Sequence, residues 1–212
     1  MLKRTVTGLA LAAAILSSPV VMAEGGKRAM IAPDLYSFVV EHDGEKVEVK
    51  RAQSPDNQIH ELYSTTFRGM PQPIRPFEPH DVETIGEREF VKYMIESQAD
   101  ENVLVVDTRT EGWHYRLTIP GSVNVPYTVM DEADSAQDTL EEFGAVKNGD
   151  DWDFSNAKTL AMFCNGYWCG QTPRLVRQLL EAGYPDTKLK YYRGGMQAWT
   201  SLGLTTVGDA AE

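Results

Sequence analysis

Apolar and amphipathic segments alternate along the chain from about residue 81 onward. Four short segments have the length and apolar content of buried strands, and they lie at 103–106, 122–125, 160–163 and 189–192. Between them, apolar residues recur at helical spacing, as at Phe90, Val91, Met94 and Ile95, or at Leu175, Val176, Leu179 and Leu180. Because alternating strands and helices pack as a parallel sheet between helices, this pattern predicts an α/β fold with helices on both faces.

Two helix starts carry local signals. Thr84 followed by Glu87 predicts a capping box before the first helix. Thr172 and Pro173 predict a capped first turn for the helix that ends near Gly183. Ligand sites of such sheets lie beyond the carboxyl ends of the strands, so the loops leading into these helices are the places to look for chemistry.

Residues 24–80 have a different character, with six prolines and little helical periodicity. One hairpin is predicted, in which 37–41 and 46–50 flank Asp43-Gly44, a dipeptide suited to a tight hairpin turn. We therefore expect an N-terminal extension that is partly ordered and packed on the main domain. The main domain is predicted over 81–206, and 207–212 forms a short tail.

The first 23 residues have the order of a secretory signal peptide. Lys3 and Arg4 precede an uncharged stretch at 5–21, and small residues end at Ala23, the predicted cleavage site. The chain is therefore expected to be periplasmic or otherwise exported. No second candidate span follows, so no membrane association is expected after cleavage.

Acidic residues outnumber basic ones, 31 to 20, for a formal net charge of −11. Nucleic acids are bound mainly by neutralising phosphates with basic side chains, so this balance argues against a nucleic-acid partner. The four histidines lie in no metal-ligand spacing, and we interpret them as surface or packing residues: His42, His60, His80 and His114. No metal or organic cofactor is indicated.

The only two cysteines, Cys164 and Cys169, occur in one loop between the strand at 160–163 and the helix beginning near Thr172. A helix N-terminus stabilises a nearby anion, so this position favours a reactive thiolate at Cys164. The alternative is one structural disulfide, as is common in exported proteins. A bridge closing so short a loop would add little stability, because the stabilisation grows with loop length.

Three segments resemble the signatures of rhodanese-like domains. Asp107-Thr108-Arg109 followed by the segment 119–126 is similar to the family's D-x-R and I-P-G-A-x-N-x-P elements, and 194–204 resembles its closing G-G-x-x-A-W-x-x-x-G-L motif. The loop at Cys164 lies between them, in family order. Trp113 and the pair Leu117-Thr118 depart from the first signature, where an acidic residue and Gly-His are usual. The chain is thus similar to exported bacterial members with a C-x4-C loop.

The resemblance implies a five-stranded parallel sheet and a sulfurtransferase that carries sulfane sulfur as a persulfide on Cys164. The loop amides would form the anion-binding cradle, so the substrate-binding residues of the loop are Asn165, Gly166, Tyr167, Trp168 and Gly170. The position of Arg193 at the end of the last predicted strand suits it to hold an anionic donor, and the alternative is a structural or solvated role. The implied partners are a small sulfur donor and a thiol or protein acceptor. Asp107 and Arg109 are expected to brace the sheet end by hydrogen bonding.

Cys169 stands where many members carry a basic or hydroxyl side chain. It is a possible resolving thiol, which would attack the Cys164 persulfide, release sulfide and leave a disulfide for an outside reductant protein. The alternative is a small buried residue under the loop. Two further functions stay open: thiol–disulfide exchange by the Cys164/Cys169 pair, and a non-catalytic binding module that keeps the fold.

Overall fold

Strands and helices alternate in the structure as the apolar pattern predicts. The structure is a computed structural model that describes residues 28–149 and 151–211, so the predicted signal peptide lies outside the described residues. The strands are β1 (Ser37–His42), β2 (Glu45–Lys50), β3 (Glu83–Ile85), β4 (Val103–Asp107), β5 (Val123–Asn124), β6 (Val146–Asn148), β7 (Asp151–Asp153), β8 (Thr159–Phe163) and β9 (Leu189–Tyr192). The helices are α1 (Glu87–Glu96), α2 (Glu111–Arg116), α3 (Ala133–Glu142), α4 (Gln171–Glu181) and α5 (Gly195–Ser201), with 3-10 turns at Glu61–Tyr63, Val129–Asp131 and Asp186–Lys188.

One five-stranded parallel sheet organises the main domain, in the order β3-β9-β8-β4-β5. The central strand β8 pairs with β4 on one side and with β9 on the other. This confirms the predicted α/β fold. Two antiparallel hairpins, β1-β2 and β6-β7, lie outside the sheet.

Alternate residues of each central strand enter two separate cores. In β8, Ala161 and Phe163 pack with α1, α5 and the β1-β2 hairpin, whereas Leu160 and Met162 pack with α3 and α4. Because side chains of successive strand residues point to opposite faces, this division puts helices on both faces of the sheet.

The extension packs on the main domain, as predicted. The turn of the β1-β2 hairpin places Asp43 and Gly44 at positive φ (50° and 79°), which matches a tight hairpin turn. Val40 and Val49 are buried on the α1 face, and Phe77 enters the core on the α4 face. The extension therefore contacts both sides of the sheet.

Both predicted caps are wrong. Thr84 lies in the edge strand β3, which the sequence did not predict, and its Oγ1 donates to the Ile74 carbonyl O at 2.6 Å. Helix α4 is preceded by Gly170, which has no side chain to cap it, and Thr172 is buried inside the first turn. The hydroxyls of Thr84 and Thr172, which the local pattern assigned to helix caps, therefore form tertiary hydrogen bonds instead. None of the helices in the described ranges is long and apolar enough to cross a bilayer.

Candidate active site

The loop between β8 and α4 carries both cysteines at the carboxyl edge of the sheet. Its backbone is fixed against the start of α5: the Met196 and Gln197 N–H groups donate to the carbonyl O atoms of Cys164 (3.0 Å) and Asn165 (2.9 Å). Gly195 permits this approach, because a Cβ atom there would lie 2.3 Å from the Cys164 carbonyl O, and its φ is +54°. Backbone hydrogen bonds to the start of α5 thus hold the loop without any contribution from its side chains.

Both thiols lie inside the protein, next to one another. Cys164 is 1% exposed and Cys169 is 8% exposed, and neither forms a disulfide. The Cys164 Sγ lies 3.7 Å from the Cys169 carbonyl O, and the Cys169 Sγ lies 3.5 Å from Gln171 Oε1. Cys164 and Cys169 were predicted to lie in one site, and in the structure they lie next to one another.

Burial and hydrogen bonding act differently on the pKa values of the two thiols. Burial raises the pKa of the Cys164 thiol well above its usual value. The pKa of Cys169 is lowered to about 7, first by its side-chain interaction with Cys164 and then by the nearby backbone N–H groups of Gln171 and Asn165. Cys169 lies directly before the first turn of α4, and the reactive thiolate at Cys164 stays a prediction.

The predicted cradle of loop amides is only partly formed. The Asn165 N–H helps to lower the pKa of Cys169, whereas the Cys169 N–H donates to the Gly166 carbonyl O at 2.9 Å. The hydroxyl and backbone N–H of Thr172 act to lower the pKa of Cys164, against the larger effect of burial, and that hydroxyl lies 2.8 Å from Thr108 Oγ1. Thr172 is thus a site residue that sequence analysis assigned to a cap.

A buried polar network lies on the inner side of the loop between β8 and α4. Asp107 and Arg109 are fully buried and form an ion pair at 2.6 Å, which agrees with their expected bracing role. Burial alone would raise the pKa of Asp107, but hydrogen bonds from His114 and Arg109 outweigh it and lower that pKa. His114 Nδ1 lies 3.0 Å from Asp107 Oδ2, so this buried histidine belongs to the network and is a packing residue, not a surface one.

Tyr63 of the extension connects this network to the loop. Arg109 Nη1 donates to the Tyr63 hydroxyl at 3.0 Å, and that hydroxyl donates to Asn165 Oδ1 at 2.7 Å. Tyr63 was not predicted, because the proline-rich segment around it has no periodicity that would indicate a buried side chain.

The extension also covers the outer side of the loop. The rings of Phe67 and Trp168 stack with centroids 3.7 Å apart and planes tilted by 16°. Trp168 in turn lies directly against Gly166 and Gly69, where a Cβ atom would come within 2.7 Å of the indole. The Gln72 N–H donates to the Tyr167 carbonyl O at 2.7 Å. Trp168 therefore packs against the extension, whereas the Tyr167 side chain is 42% exposed.

Arg193 lies at this covered mouth, but its hydrogen bonds go to the extension. Its Nε and Nη2 donate to the Gln72 carbonyl O at 3.1 and 2.7 Å, and its guanidinium lies 5.5 Å from the centre of the Tyr167 ring. The Gln72 carbonyl O thus accepts the hydrogen bonds that Arg193 was expected to donate to an anionic sulfur donor. Donor binding by Arg193, Tyr167 and Trp168 stays a prediction.

Comparison with known proteins gives a family for most of the main domain. A family model described as a rhodanese-like domain matches residues 90–202, more than half of the chain. No curated protein matches the chain.

Several solved structures are similar to parts of it. A protein from Bacillus halodurans is 17% identical, with 61% of this chain and 79% of that chain covered and a TM-score of 0.44. The rhodanese-like domain of an Anabaena protein is 21% identical, with coverages of 57% and 76% and a TM-score of 0.40. A rhodanese with anions from E. coli is 20% identical, with coverages of 50% and 96% and a TM-score of 0.30.

Proposed function

Because this chain belongs to the rhodanese-like domain family, we propose that it is a sulfurtransferase that carries sulfane sulfur as a persulfide on Cys164. The observation that carries the proposal is the pair of adjacent buried thiols at the end of β8, one of which has a pKa of about 7. A thiolate beside a thiol is a base beside a nucleophile, and that combination suits group transfer at neutral pH.

In the proposed loading step, the Cys164 thiol gives its proton to the Cys169 thiolate while the Cys164 sulfur attacks the outer sulfur of a small donor. The sulfur–sulfur bond of the donor breaks, and the rest of the donor leaves with the electron pair as a sulfite-type or thiolate anion. Cys164 then holds the transferred sulfur as a persulfide anion, and Cys169 is protonated.

Two unloading steps are chemically balanced. An acceptor thiolate can attack the outer sulfur, so that the acceptor gains a persulfide and Cys164 leaves as thiolate. Alternatively, the Cys169 thiolate attacks the inner sulfur of a protonated persulfide, hydrosulfide leaves, and a Cys164–Cys169 disulfide forms. That second route needs two electrons from an external dithiol reductant before the next cycle.

Mass spectrometry of the reduced protein after exposure to thiosulfate or a small organic persulfide tests the proposal. We expect a gain of about 32 Da, one sulfur atom, on Cys164. Cys169→Ser is expected to load more slowly and to release no sulfide, while Cys164→Ser takes up no sulfur. Absence of the adduct from the parent protein with either donor would contradict sulfur transfer.

Thiol–disulfide exchange is the second candidate function. It is favoured by the pKa of Cys169, since a thiol that titrates near ambient pH is the most effective attacking group in exchange. The same spectra separate the two functions, because exchange predicts the loss of two hydrogens with no added sulfur. A Cys164→Ser protein that retains every property of the parent would instead support a binding module.

Export is part of the proposal and rests on the sequence of residues 1–23. N-terminal sequencing of protein recovered from the periplasm should begin at Glu24. The proposed acceptor is a thiol or a protein, and a reductant protein in the same compartment would regenerate the dithiol. Recovery of uncleaved protein in the cytoplasm would remove this part of the proposal.

A further inference from the structure

The part of the extension between Tyr63 and Phe77 passes over the cysteine loop with both of its ends fixed. These two end residues are buried, at 3% and 4% exposure, and they lie in the cores on opposite faces of the sheet. Residues 64–71 between them are all exposed. An exposed segment with little buried surface opens at low cost, so its contacts with the loop decide how long it stays in place.

The first contact of this segment with the loop is aromatic. Phe67 stacks on Trp168, and Gly69 lies so close to the same indole that a Cβ atom there would be 2.7 Å from Trp168 Cδ1. The other side of the indole lies against Gly166. Trp168 is therefore enclosed between the segment and the turn that separates the two cysteines.

The second contact uses the backbone of Gln72. Its N–H donates to the Tyr167 carbonyl O at 2.7 Å, and its carbonyl O accepts from Arg193 Nε and Nη2 at 3.1 and 2.7 Å. Pro71 and Pro73 flank it, and a residue before proline is largely confined to extended backbone. A stiff piece of chain thus presents both polar groups, and the Gln72 side chain takes part in neither bond.

Arg193 lies beside Cys164 at the carboxyl edge of the sheet. Strands β8 and β9 are parallel, with Phe163 opposite Tyr192, so the next residue of each strand is Cys164 and Arg193. The Nε and Nη2 groups form the edge of a guanidinium that binds both oxygens of an oxyanion. Here both groups converge on one uncharged carbonyl O. A charged acceptor with two oxygens would bind this edge more strongly.

We propose that residues 67–73 form a strap latched by Arg193: an anionic sulfur donor that takes this guanidinium from the Gln72 carbonyl O releases the strap and gains access to the cysteine loop. Both thiols are buried, at 1% and 8% exposure, so a donor reaches them only after the cover of the loop changes. The inference rests on the proposed function and deepens it, because it names the donor as an oxyanion of the thiosulfate type.

The latch gives the donor the differential affinity that such a change requires. A ligand shifts a conformational equilibrium only as far as it binds one state better than the other. An oxyanion competes with Gln72 for the same two N–H groups of Arg193, so it binds the open form and not the closed one. An uncharged molecule lacks this advantage, and the closed strap therefore discriminates against it.

The experiment measures alkylation of the thiols by iodoacetamide, an uncharged reagent, in the reduced full chain. Rates are compared with and without millimolar sulfate at constant ionic strength and pH. We expect sulfate to accelerate alkylation of the parent about fivefold. Arg193→Ala should react about tenfold faster than the parent without sulfate and should not respond to sulfate. A parent rate that sulfate leaves unchanged, or an Arg193→Ala rate equal to that of the parent, would overturn the proposal.

Arg174→Ala is the matched control for charge. Arg174 lies on α4 near the same loop, but its guanidinium pairs with Asp131 at 2.6 Å. The variant removes one positive charge from the same domain, so it should keep both the parent rate and the response to sulfate. A loss of the sulfate response in Arg174→Ala as well would assign the effect to net charge and would contradict the latch.

Two substitutions at Gln72 test the backbone contacts and cover the case in which Arg193→Ala fails to fold. Gln72→Pro removes the N–H that donates to Tyr167, whereas Gln72→Ala keeps both backbone groups and removes only the side chain. The first variant should be alkylated about fivefold faster than the parent, and the second at the parent rate. Equal rates in the two variants would show that the Gln72 backbone does not hold the strap.

Sulfur loading from thiosulfate, measured on the same samples, separates this inference from the proposed function. A parent that takes up no sulfur, together with faster alkylation of Arg193→Ala, would refute sulfur transfer and leave the latch in place. A parent that loads Cys164, with equal alkylation rates in the parent, Arg193→Ala and Gln72→Pro, would refute the latch alone.

Discussion

The matched domain and the N-terminal extension hold the same loop by different means. The domain supplies both thiols and the backbone hydrogen bonds from Met196 and Gln197. The extension adds side-chain contacts through Tyr63 and Phe67 and covers the outer face of the loop. The domain thus fixes the backbone of the loop, whereas the extension contacts its side chains.

The largest effect should come from the domain side of this comparison. Cys164→Ser removes the proposed nucleophile, so the rate of sulfur transfer from a small donor to a thiol should fall roughly 10³-fold or more. Far-ultraviolet circular dichroism should show an unchanged fold, because serine is close to cysteine in size. Retention of more than a tenth of the parent rate would place the chemistry elsewhere.

The buried ion pair that joins the two regions should give the next largest effect. Arg109→Met leaves the Asp107 carboxylate buried without its partner, which costs about 3–5 kcal/mol. Urea unfolding at neutral pH measures the loss. The double variant Asp107→Asn/Arg109→Met is the control, and it should recover part of the stability because the uncompensated charge is gone.

A smaller effect, an increase in the reactivity of the thiols, should come from removing a contact between the extension and the loop. Phe67→Ala removes the ring stacked on Trp168, so the open form of the loop should become about tenfold more populated. Alkylation of the thiols in the folded protein should accelerate by that factor. Met70→Ala, on the same extension but 84% exposed, should leave the rate unchanged. Equal rates in both variants would show that the extension does not control access.

The smallest effect should be the pH dependence of stability that the thiols contribute. The pKa of Cys169 is about 7 in the folded chain, below ~8.5 when unfolded. Its contribution is therefore fully present above pH ~8.5 and is lost as pH falls through 7. Cys164 has a raised pKa, so it opposes folding once pH exceeds ~8.5. Urea midpoints of the parent and Cys169→Ser between pH 6 and 9 test this, and parallel profiles would contradict it.

Much of the main domain follows from local pattern. The strands β4, β5, β8 and β9 and the helices α1 and α4 were predicted, because buried strands and amphipathic helices have distinct periodicities. The edge strand β3 was not, since three residues are too few to establish a period. Thr84 of this strand, followed by Glu87, instead matched the sequence pattern of a helix cap.

The features of the site likewise divide into those that follow from local sequence and those that depend on tertiary structure. The sequence by itself determined the α/β order, the hairpin of the extension, and the meeting of Cys164 with Cys169, since all of these depend on residues close together in the chain. Only the tertiary structure decided that burial raises the pKa of Cys164, and that Tyr63 contacts Asn165, 102 positions away. Acidity depends on burial and on the direction of hydrogen bonds, and contacts over such separations depend on how the whole chain folds back on itself.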